Sequence, residues 1–119
     1  MKDNFFSFED LKVYQKALLY IDWVYKTTEV FPKKEIYALS NQFVRASQSI
    51  ALNIAEGSGG TTQEFINFLR IARRSVNECV VCTTIGFQQK YLSENLNNDS
   101  RNKLIELSKM INGLINSLK

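Results

Sequence analysis

The chain has 119 residues, with 15 basic and 12 acidic side chains, a formal net charge of +3 and no histidine. Because histidine is the commonest general base and a frequent zinc ligand, its absence argues against most Ser-His, Cys-His and zinc-dependent enzymes. The apolar content of 45%, with one proline and five glycines, argues against disorder and favours long helices in one domain over residues 1–119.

Neither a signal peptide nor a membrane span is evident. The first twelve residues contain acidic side chains and no long apolar run. No stretch of about 18 uncharged apolar residues occurs anywhere in the chain. We therefore expect a cytoplasmic protein that does not contact a membrane.

The first predicted helix runs from about Phe8 to Glu29 and is ended by Pro32. Ser7 and Asp10 have the spacing of a capping box. Apolar residues lie on two sides of this helix, whereas an ordinary surface helix has one apolar side. We expect one side to pack inside the subunit and the other to meet a second subunit, or else both to be buried by the same chain. The two sides are Leu11, Tyr14, Leu18, Ile21 and Tyr25, and Val13, Ala17, Tyr20, Trp23 and Val24.

The second predicted helix spans Lys34 to Glu56 and stops at Gly57, a residue typical of the position after a helix end. Asn53 lies among apolar neighbours, so its amide needs a hydrogen-bond partner. We expect another helix to supply this partner, with a ligand as the alternative. The segment Gly57–Gly60 lacks the lysine and spacing of a phosphate loop and predicts a tight turn. The core side is predicted to be Leu39, Phe43, Ala46, Ile50 and Asn53.

The third predicted helix begins at Thr61 or Thr62, where Thr61 and Glu64 fit a capping box, and continues to about Tyr91. The polar segment from Ser93 to Ser100 is interpreted as a connector, and a fourth helix runs from about Asp99 to the end. The core residues predicted for the third helix are Phe65, Phe68, Leu69, Ala72, Val76, Cys79, Thr83 and Phe87. Those of the fourth are Leu104, Leu107, Met110, Ile111, Leu114, Ile115 and Leu118. Four helices with short links predict an all-α, antiparallel up-down-up-down four-helix bundle.

Cys79 and Cys82 form a Cys-Val-Val-Cys motif within the third helix. A redox pair would benefit from a position at a helix start, and a zinc site needs four ligands. We therefore expect two small buried apolar residues, with a metal shared between subunits as the alternative. No cofactor is expected.

The net positive charge comes from the second half of the chain. Residues 1–60 carry seven basic and seven acidic side chains, whereas residues 61–119 carry eight basic and five acidic ones. Arg70, Arg73 and Arg74, here called the arginine stripe, lie within five residues of the third helix and face away from its predicted core. Arginine suits bidentate phosphate contact, so the stripe indicates a nucleic-acid surface, although a charged face opposite a core can also be merely solvated.

Four further residues extend this predicted surface. Gln63 and Asn67 lie along the same side of the third helix and offer hydrogen bonds without base specificity. Arg45 and Lys34, on the second predicted helix, are weaker candidates for phosphate contact.

The order of motifs resembles a bacterial four-helix-bundle family, the 23S rRNA-intervening sequence proteins. The most specific match is the segment Ser49–Gly57, with sequence SIALNIAEG. The other matching segments are Phe8–Ala17, Phe31–Pro32, Glu35–Leu39 with Gln42, Glu64–Phe65, Phe68–Arg73 with Ser75 and Glu78, and Lys109–Ile115. Arg74 departs from the pattern, since glycine is common at that position.

The resemblance implies a homopentameric ring of four-helix bundles, with no enzymatic activity and a basic surface for nucleic acid. Relatives include the accessory variability determinant of diversity-generating retroelements. The alternative function is therefore a protein-protein adaptor, for example for a reverse transcriptase. An enzyme using Glu56 and Glu64 ranks last, because no partner acid, base or metal set converges with them.

Overall fold

Four α-helices account for most of the chain in the computed structural model, which describes residues 5–119. The helices are α1 (Lys12–Thr28), α2 (Leu39–Ser58), α3 (Thr62–Gln88) and α4 (Glu94–Leu118). Short 3-10 helices at Ser7–Asp10 and Lys33–Glu35 precede α1 and α2, and no strand occurs in the described range. Within it, no helix is long and apolar enough to cross a membrane. Residues 1–4 lie outside the described residues; they begin the segment in which the sequence shows no signal peptide.

The starts of α1 and α2 differ from the sequence prediction. α1 begins at Lys12 rather than Phe8, because Leu11 has an extended backbone that separates it from the preceding 3-10 helix. The predicted cap at Ser7 is wrong, since that 3-10 helix has no side-chain cap. α2 begins at Leu39 rather than Lys34, because Ala38 leaves helical geometry. The Leu39 N–H donates instead to Glu35 Oε1 at 3.2 Å.

The turn between α3 and α4 is shorter than predicted. α3 ends at Gln88 rather than Tyr91, and Lys90 adopts a left-handed backbone with φ of 65°. α4 begins at Glu94, so the interpretation of residues 93–100 as a connector is wrong. The Ser93 hydroxyl accepts from the Leu96 N–H at 3.1 Å and starts the helix, despite the low helix propensity of the asparagines that follow.

The four helices share one apolar core, to which each contributes residues at helical spacing. The inward side of α1 is the one that contains Val13, Ala17, Tyr20 and Val24. Its other apolar side flanks α2 and stays partly exposed. Phe87 is wrong as a core prediction, since its side chain is 42% exposed, whereas Gly86 beside it is buried against Leu92.

A chain of buried hydroxyl groups joins three helices at the centre of the bundle. The Tyr20 hydroxyl lies 2.9 Å from Ser100 Oγ, which lies 2.8 Å from Thr83 Oγ1. Thr83 donates its single hydrogen to the Cys79 carbonyl, so Ser100 donates to Thr83 and Tyr20 donates to Ser100. Burial raises the pKa of the Tyr20 hydroxyl, which therefore stays protonated as a donor. This chain of hydroxyl groups sets the relative positions of α1, α3 and α4.

Small and polar residues set the contact between α2 and α3. Ser75 Oγ donates to Ser49 Oγ at 2.8 Å. Asn53 is half-buried and bonds the carbonyl and hydroxyl of Ser49 in its own helix, so the predicted bond to another helix is wrong. At Gly57, an added Cβ would lie 2.5 Å from Phe68 Cβ. Gly57 thus permits close packing, and it lies inside α2, which ends at Ser58, two residues beyond the predicted last residue Glu56.

Replacement of two helical glycines by alanine should have opposite effects on stability. Gly57→Ala forces the Cβ into Phe68 and should lower the free energy of unfolding by about 1–3 kcal/mol. Gly113→Ala meets no atom within 4 Å and should raise it by about 0.5–1 kcal/mol, because alanine is the better helix former. Urea unfolding followed by circular dichroism measures both. Equal effects of the two changes would contradict the close-packing role of Gly57.

Removal of the central hydroxyl should destabilise the bundle. Ser100→Ala leaves the buried Tyr20 hydroxyl without this partner and should cost about 1–3 kcal/mol in the free energy of unfolding. Ser117→Ala, on the exposed side of the same helix, is the matched control and should stay within about 0.5 kcal/mol. Urea unfolding of both variants measures the difference. An unchanged free energy of unfolding for Ser100→Ala would contradict a stabilising role of the hydroxyl chain.

Candidate nucleic-acid interface

The start of α3 is a complete capping box, which confirms the sequence prediction. Thr61 Oγ1 accepts from the Glu64 N–H at 3.2 Å, and Glu64 Oε1 accepts from the Thr61 N–H at 2.7 Å. The backbone hydrogen bond from Thr61 holds the pKa of the Glu64 carboxyl below its usual range. Glu64 is thereby committed to the helix start, two turns before the arginine stripe. Glu56, the other carboxylate considered, is exposed at the end of α2.

The buried side of α3 determines the direction of the arginine stripe. Leu69, Ala72 and Val76 are almost fully buried, while Phe65 and Phe68 are half-buried at the edge of the core. At about 100° per residue, this arrangement turns the opposite side of the helix to solvent. The apolar spacing of the sequence is sufficient to predict that orientation.

The arginine stripe divides into two outward residues and one that crosses to α4. Arg70 and Arg74 are exposed and project about 40° apart around the helix axis. Arg73 is half-buried, lies about 60° to the other side of Arg70, and donates to Asn112 Oδ1 at 2.7 Å. The three guanidinium groups therefore cover the outer face of α3 and the edge that it shares with α4.

The arginine stripe is free of neutralising acids. The ion pairs within residues 5–119 are Lys16–Glu106, Lys26–Asp22 and Lys103–Asp99, and all lie away from the stripe. Arg70 and Arg74 have no ion-pair or hydrogen-bond partner in this range. Glu78, one turn beyond Arg74, does not come within ion-pair distance of it. The positive charge of the stripe is thus available to an anion from solvent.

The amide residues near the stripe bond each other. Gln63 Nε2 donates to Asn67 Oδ1 at 3.1 Å, and both side chains are exposed on the side of α3 that carries Arg70. Their remaining donor and acceptor groups face solvent. They extend the stripe toward the start of α3, as the sequence predicts.

The two weaker candidates lie in different places. Arg45 is exposed on α2, one turn before Ser49, the residue that bonds Ser75 of α3. Lys34 lies in the 3-10 helix next to Glu35, which accepts a hydrogen bond from Tyr91 beyond the far end of α3. Fourteen residues of helix, about 21 Å, separate Arg74 from the end of α3 at Gln88, and Tyr91 lies beyond that end. The structure therefore does not bring Lys34 to the stripe.

Cys79 and Cys82 are buried and free, as the apolar interpretation predicts. Burial raises the pKa of both thiols, that of Cys82 to about 11, so neither is a thiolate near neutral pH. No group of three or more metal-ligating side chains occurs in the described range. The motif contributes to the core of α3 rather than to a reactive surface.

A basic residue of α4 was missed by the sequence prediction. Arg101 is exposed and lines a groove between α3 and α4, where it has no partner among the described residues. Arg101 lay inside the predicted fourth helix, but the sequence does not show that α3 lies beside it and forms a groove there.

Two comparisons place this fold among known proteins. Residues 9–113 match the family described as 23S rRNA-intervening sequence protein. A solved structure from Bacteroides thetaiotaomicron, a protein of unknown function from the S23 ribosomal protein family, is similar with a TM-score of 0.80. The two chains are 23% identical over 87% of this chain and 95% of that one, a likeness that concerns the fold. Among curated proteins, none matches this sequence. Because the family match spans nearly all of the described helices, this chain belongs to the 23S rRNA-intervening sequence protein family.

Proposed function

We propose that the protein is a non-catalytic, oligomeric four-helix bundle that binds nucleic acid through the arginine stripe. The observation that carries the proposal is the exposure of Arg70 and Arg74, without any acidic partner in residues 5–119, on the face of α3 opposite the core. Because neither arginine takes part in an ion pair, no ion pair has to be broken when the two side chains bind a phosphate. The family description, which refers to 23S rRNA, agrees with a nucleic-acid role.

The chemistry of the stripe suits the sugar-phosphate backbone. Each guanidinium has a planar set of donors that matches two phosphate oxygens. The Arg73–Asn112 hydrogen bond holds one guanidinium in a defined direction, so less side-chain freedom is lost on binding. Gln63 and Asn67 add neutral donors beside it. Such contacts position a nucleic acid without reading its sequence.

Oligomerisation would use the second apolar side of α1. An open groove of about 540 Å³ runs between α1 and α2. Its apolar rim includes Leu18 and Leu52, which are 44% and 66% exposed. An exposed apolar surface of this extent is typical of a contact between proteins. We name the residues that line it the α1–α2 face: Phe8, Tyr14, Leu18, Ile21, Gln48, Ala51, Leu52 and Ala55.

In the proposed assembly, up-down-up-down antiparallel bundles join through the α1–α2 face into a ring, a pentamer by the resemblance. Contacts such as Lys16–Glu106 and Trp23–Asp99 pair rising residue numbers in α1 with falling numbers in α4, which supports the alternating helix directions. A ring repeats the arginine stripe in every subunit. Several weak phosphate contacts on one assembly bind more tightly than one, because the later contacts form intramolecularly.

The alternative is a protein-protein adaptor, for example for a reverse transcriptase. The C-terminal half of the outer face of α3 favours it, since Val81 and Ile85 are 55% and 38% exposed there. Affinity capture from nuclease-treated lysate separates the two functions. A protein partner that remains after nuclease treatment would support the adaptor, whereas loss of all captured material would support the nucleic-acid role.

Charge reversal in the arginine stripe should weaken binding to structured RNA and duplex DNA. Arg70→Glu with Arg74→Glu should lower the affinity at least tenfold, because two phosphate contacts become repulsive. The slope of log affinity against log salt should also fall by about 1.8 for duplex DNA, at about 0.9 per phosphate. Filter-binding titrations at several salt concentrations measure both quantities.

The matched control is Lys34→Glu with Lys90→Glu, which changes the net charge by the same amount at the far end of α3. Both residues are exposed, and we expect an affinity loss below threefold. An equal loss in the control and the stripe variant would show that overall charge, not the stripe, attracts nucleic acid.

Charged residues on the α1–α2 face should separate the subunits. Leu18→Asp with Leu52→Asp places carboxylates in the proposed contact, where burial without a partner is strongly unfavourable. Light scattering coupled to gel filtration should show an oligomer for the wild type and a monomer with unchanged helix content for the variant. Ile71→Asp, at a 41% exposed position on α3, is the control and should remain oligomeric. A monomeric wild type would contradict the assembly.

A further inference from the structure

A shallow groove lies on the outer surface between α3 and α4, distinct from the arginine stripe. It encloses about 160 Å³, enough for one planar ring system. Its floor and walls are apolar: Val76 and Leu104 are buried beneath it, and Ile105 is 51% exposed at its rim. We name the lining residues the α3–α4 groove: Val76, Asn77, Val80, Arg101, Leu104, Ile105 and Ser108.

The edges of the groove carry polar groups that the protein does not use. The Asn77 amide, the Ser108 hydroxyl and the Arg101 guanidinium have no hydrogen-bond partner in residues 5–119. Several other serine and threonine side chains in the helices donate to a carbonyl of the preceding turn, as Thr83 and Thr84 do. The groove thus combines an apolar floor with free donors and acceptors at its rim, as sites for small planar ligands do.

The groove adjoins the arginine stripe. Asn77 follows Arg73 by one helical turn on α3, and Ser108 precedes Asn112 by one turn on α4. Since Arg73 bonds Asn112, the groove begins about 5.4 Å along the bundle from that contact. Arg101 lies at the groove itself, so cationic side chains stand at both ends of an apolar depression.

From this arrangement we propose that the α3–α4 groove takes one unpaired nucleobase, and that the ligand of the arginine stripe is a single-stranded nucleic acid. The inference rests on the proposed function and adds the class of ligand. The base packs on the apolar floor and bonds Asn77 and Ser108 through its exposed edge. Arg101 and Arg73 contact the phosphates on either side.

A duplex cannot place a base in the α3–α4 groove. Its bases are stacked, and their Watson–Crick edges are paired, so a convex protein surface reaches mainly phosphates and groove edges. A single strand can turn a base outward and bury it against protein, which adds to the phosphate contribution. The shared chemistry of RNA and DNA here is an unpaired base on a phosphate backbone.

Abasic oligonucleotides separate the contribution of the base from that of the phosphates. The probes are fluorescent 12-nucleotide strands of deoxythymidine, of uridine and of abasic deoxyribose, with a duplex of the same length, followed by anisotropy. We expect the base-bearing strands to bind about tenfold more tightly than the abasic strand of equal charge, and duplex binding to be unaffected by changes in the groove. The comparison of deoxythymidine with uridine shows which strand is preferred, a difference that combines the sugar with the 5-methyl group of the base.

Variants of the groove then locate the effect. Asn77→Ala with Ser108→Ala should reduce the tenfold preference for bases to about threefold or less, with the affinity for the abasic strand unchanged. Ile105→Ala, which removes the exposed apolar wall, should act in the same direction. Asn102→Ala with Ser117→Ala, on exposed positions of α4 outside the groove, is the matched control and should keep the full preference.

The outcomes distinguish this inference from the proposed function. Equal binding of base-bearing and abasic strands by the wild type would overturn the groove inference and leave the phosphate role intact. A tenfold preference that survives both groove variants would also overturn it. Absence of binding to every probe would overturn both proposals.

Discussion

The buried hydroxyl chain from Tyr20 through Ser100 to Thr83 is the interaction on which the surfaces of this bundle depend. Apolar packing alone tolerates small rotations and shifts of helices, because it is not directional. Hydrogen bonds at 2.9 and 2.8 Å are directional, and a buried hydroxyl without a partner costs about 1–3 kcal/mol. The hydroxyl chain therefore sets the rotation of α3 about its axis and the position of α4 along the bundle. The Trp23–Asp99 hydrogen bond of 2.9 Å reinforces the same contact at the edge of the core.

The outer surface follows from that arrangement. With Thr83 turned inward, Arg70 and Arg74 face solvent and Arg73 reaches Asn112. The same rotation opens the α3–α4 groove next to the arginine stripe. On the other side of the molecule, the inward turn of Tyr20 leaves the α1–α2 face exposed. One buried interaction thus fixes both the basic surface of α3 and the exposed apolar surface between α1 and α2.

Much of the arginine stripe could be predicted from residue spacing, since burial of Leu69, Ala72 and Val76 requires the opposite side of α3 to face solvent. That Arg73 crosses to α4, unlike Arg70 and Arg74, could not be predicted, because its contact with Asn112 joins residues 39 positions apart. The distance of Lys34 from the stripe has a similar origin, in the contact of Glu35 with Tyr91. The start of α4 was misjudged because local polarity suggested a connector, whereas Ser100 is stabilised by partners from two other helices.

The sequence by itself determined the helical class, the family, the capping box at Thr61, the burial of Cys79 and Cys82, and the outward direction of Arg70 and Arg74. These properties depend on residues within one helical turn or on apolar periodicity, both of which are local. Only the tertiary structure decided which apolar side of α1 enters the core, where Lys34 lies, and that Arg101 lines a groove. Those properties depend on contacts between residues far apart in the chain, and no local pattern encodes which helix lies beside which.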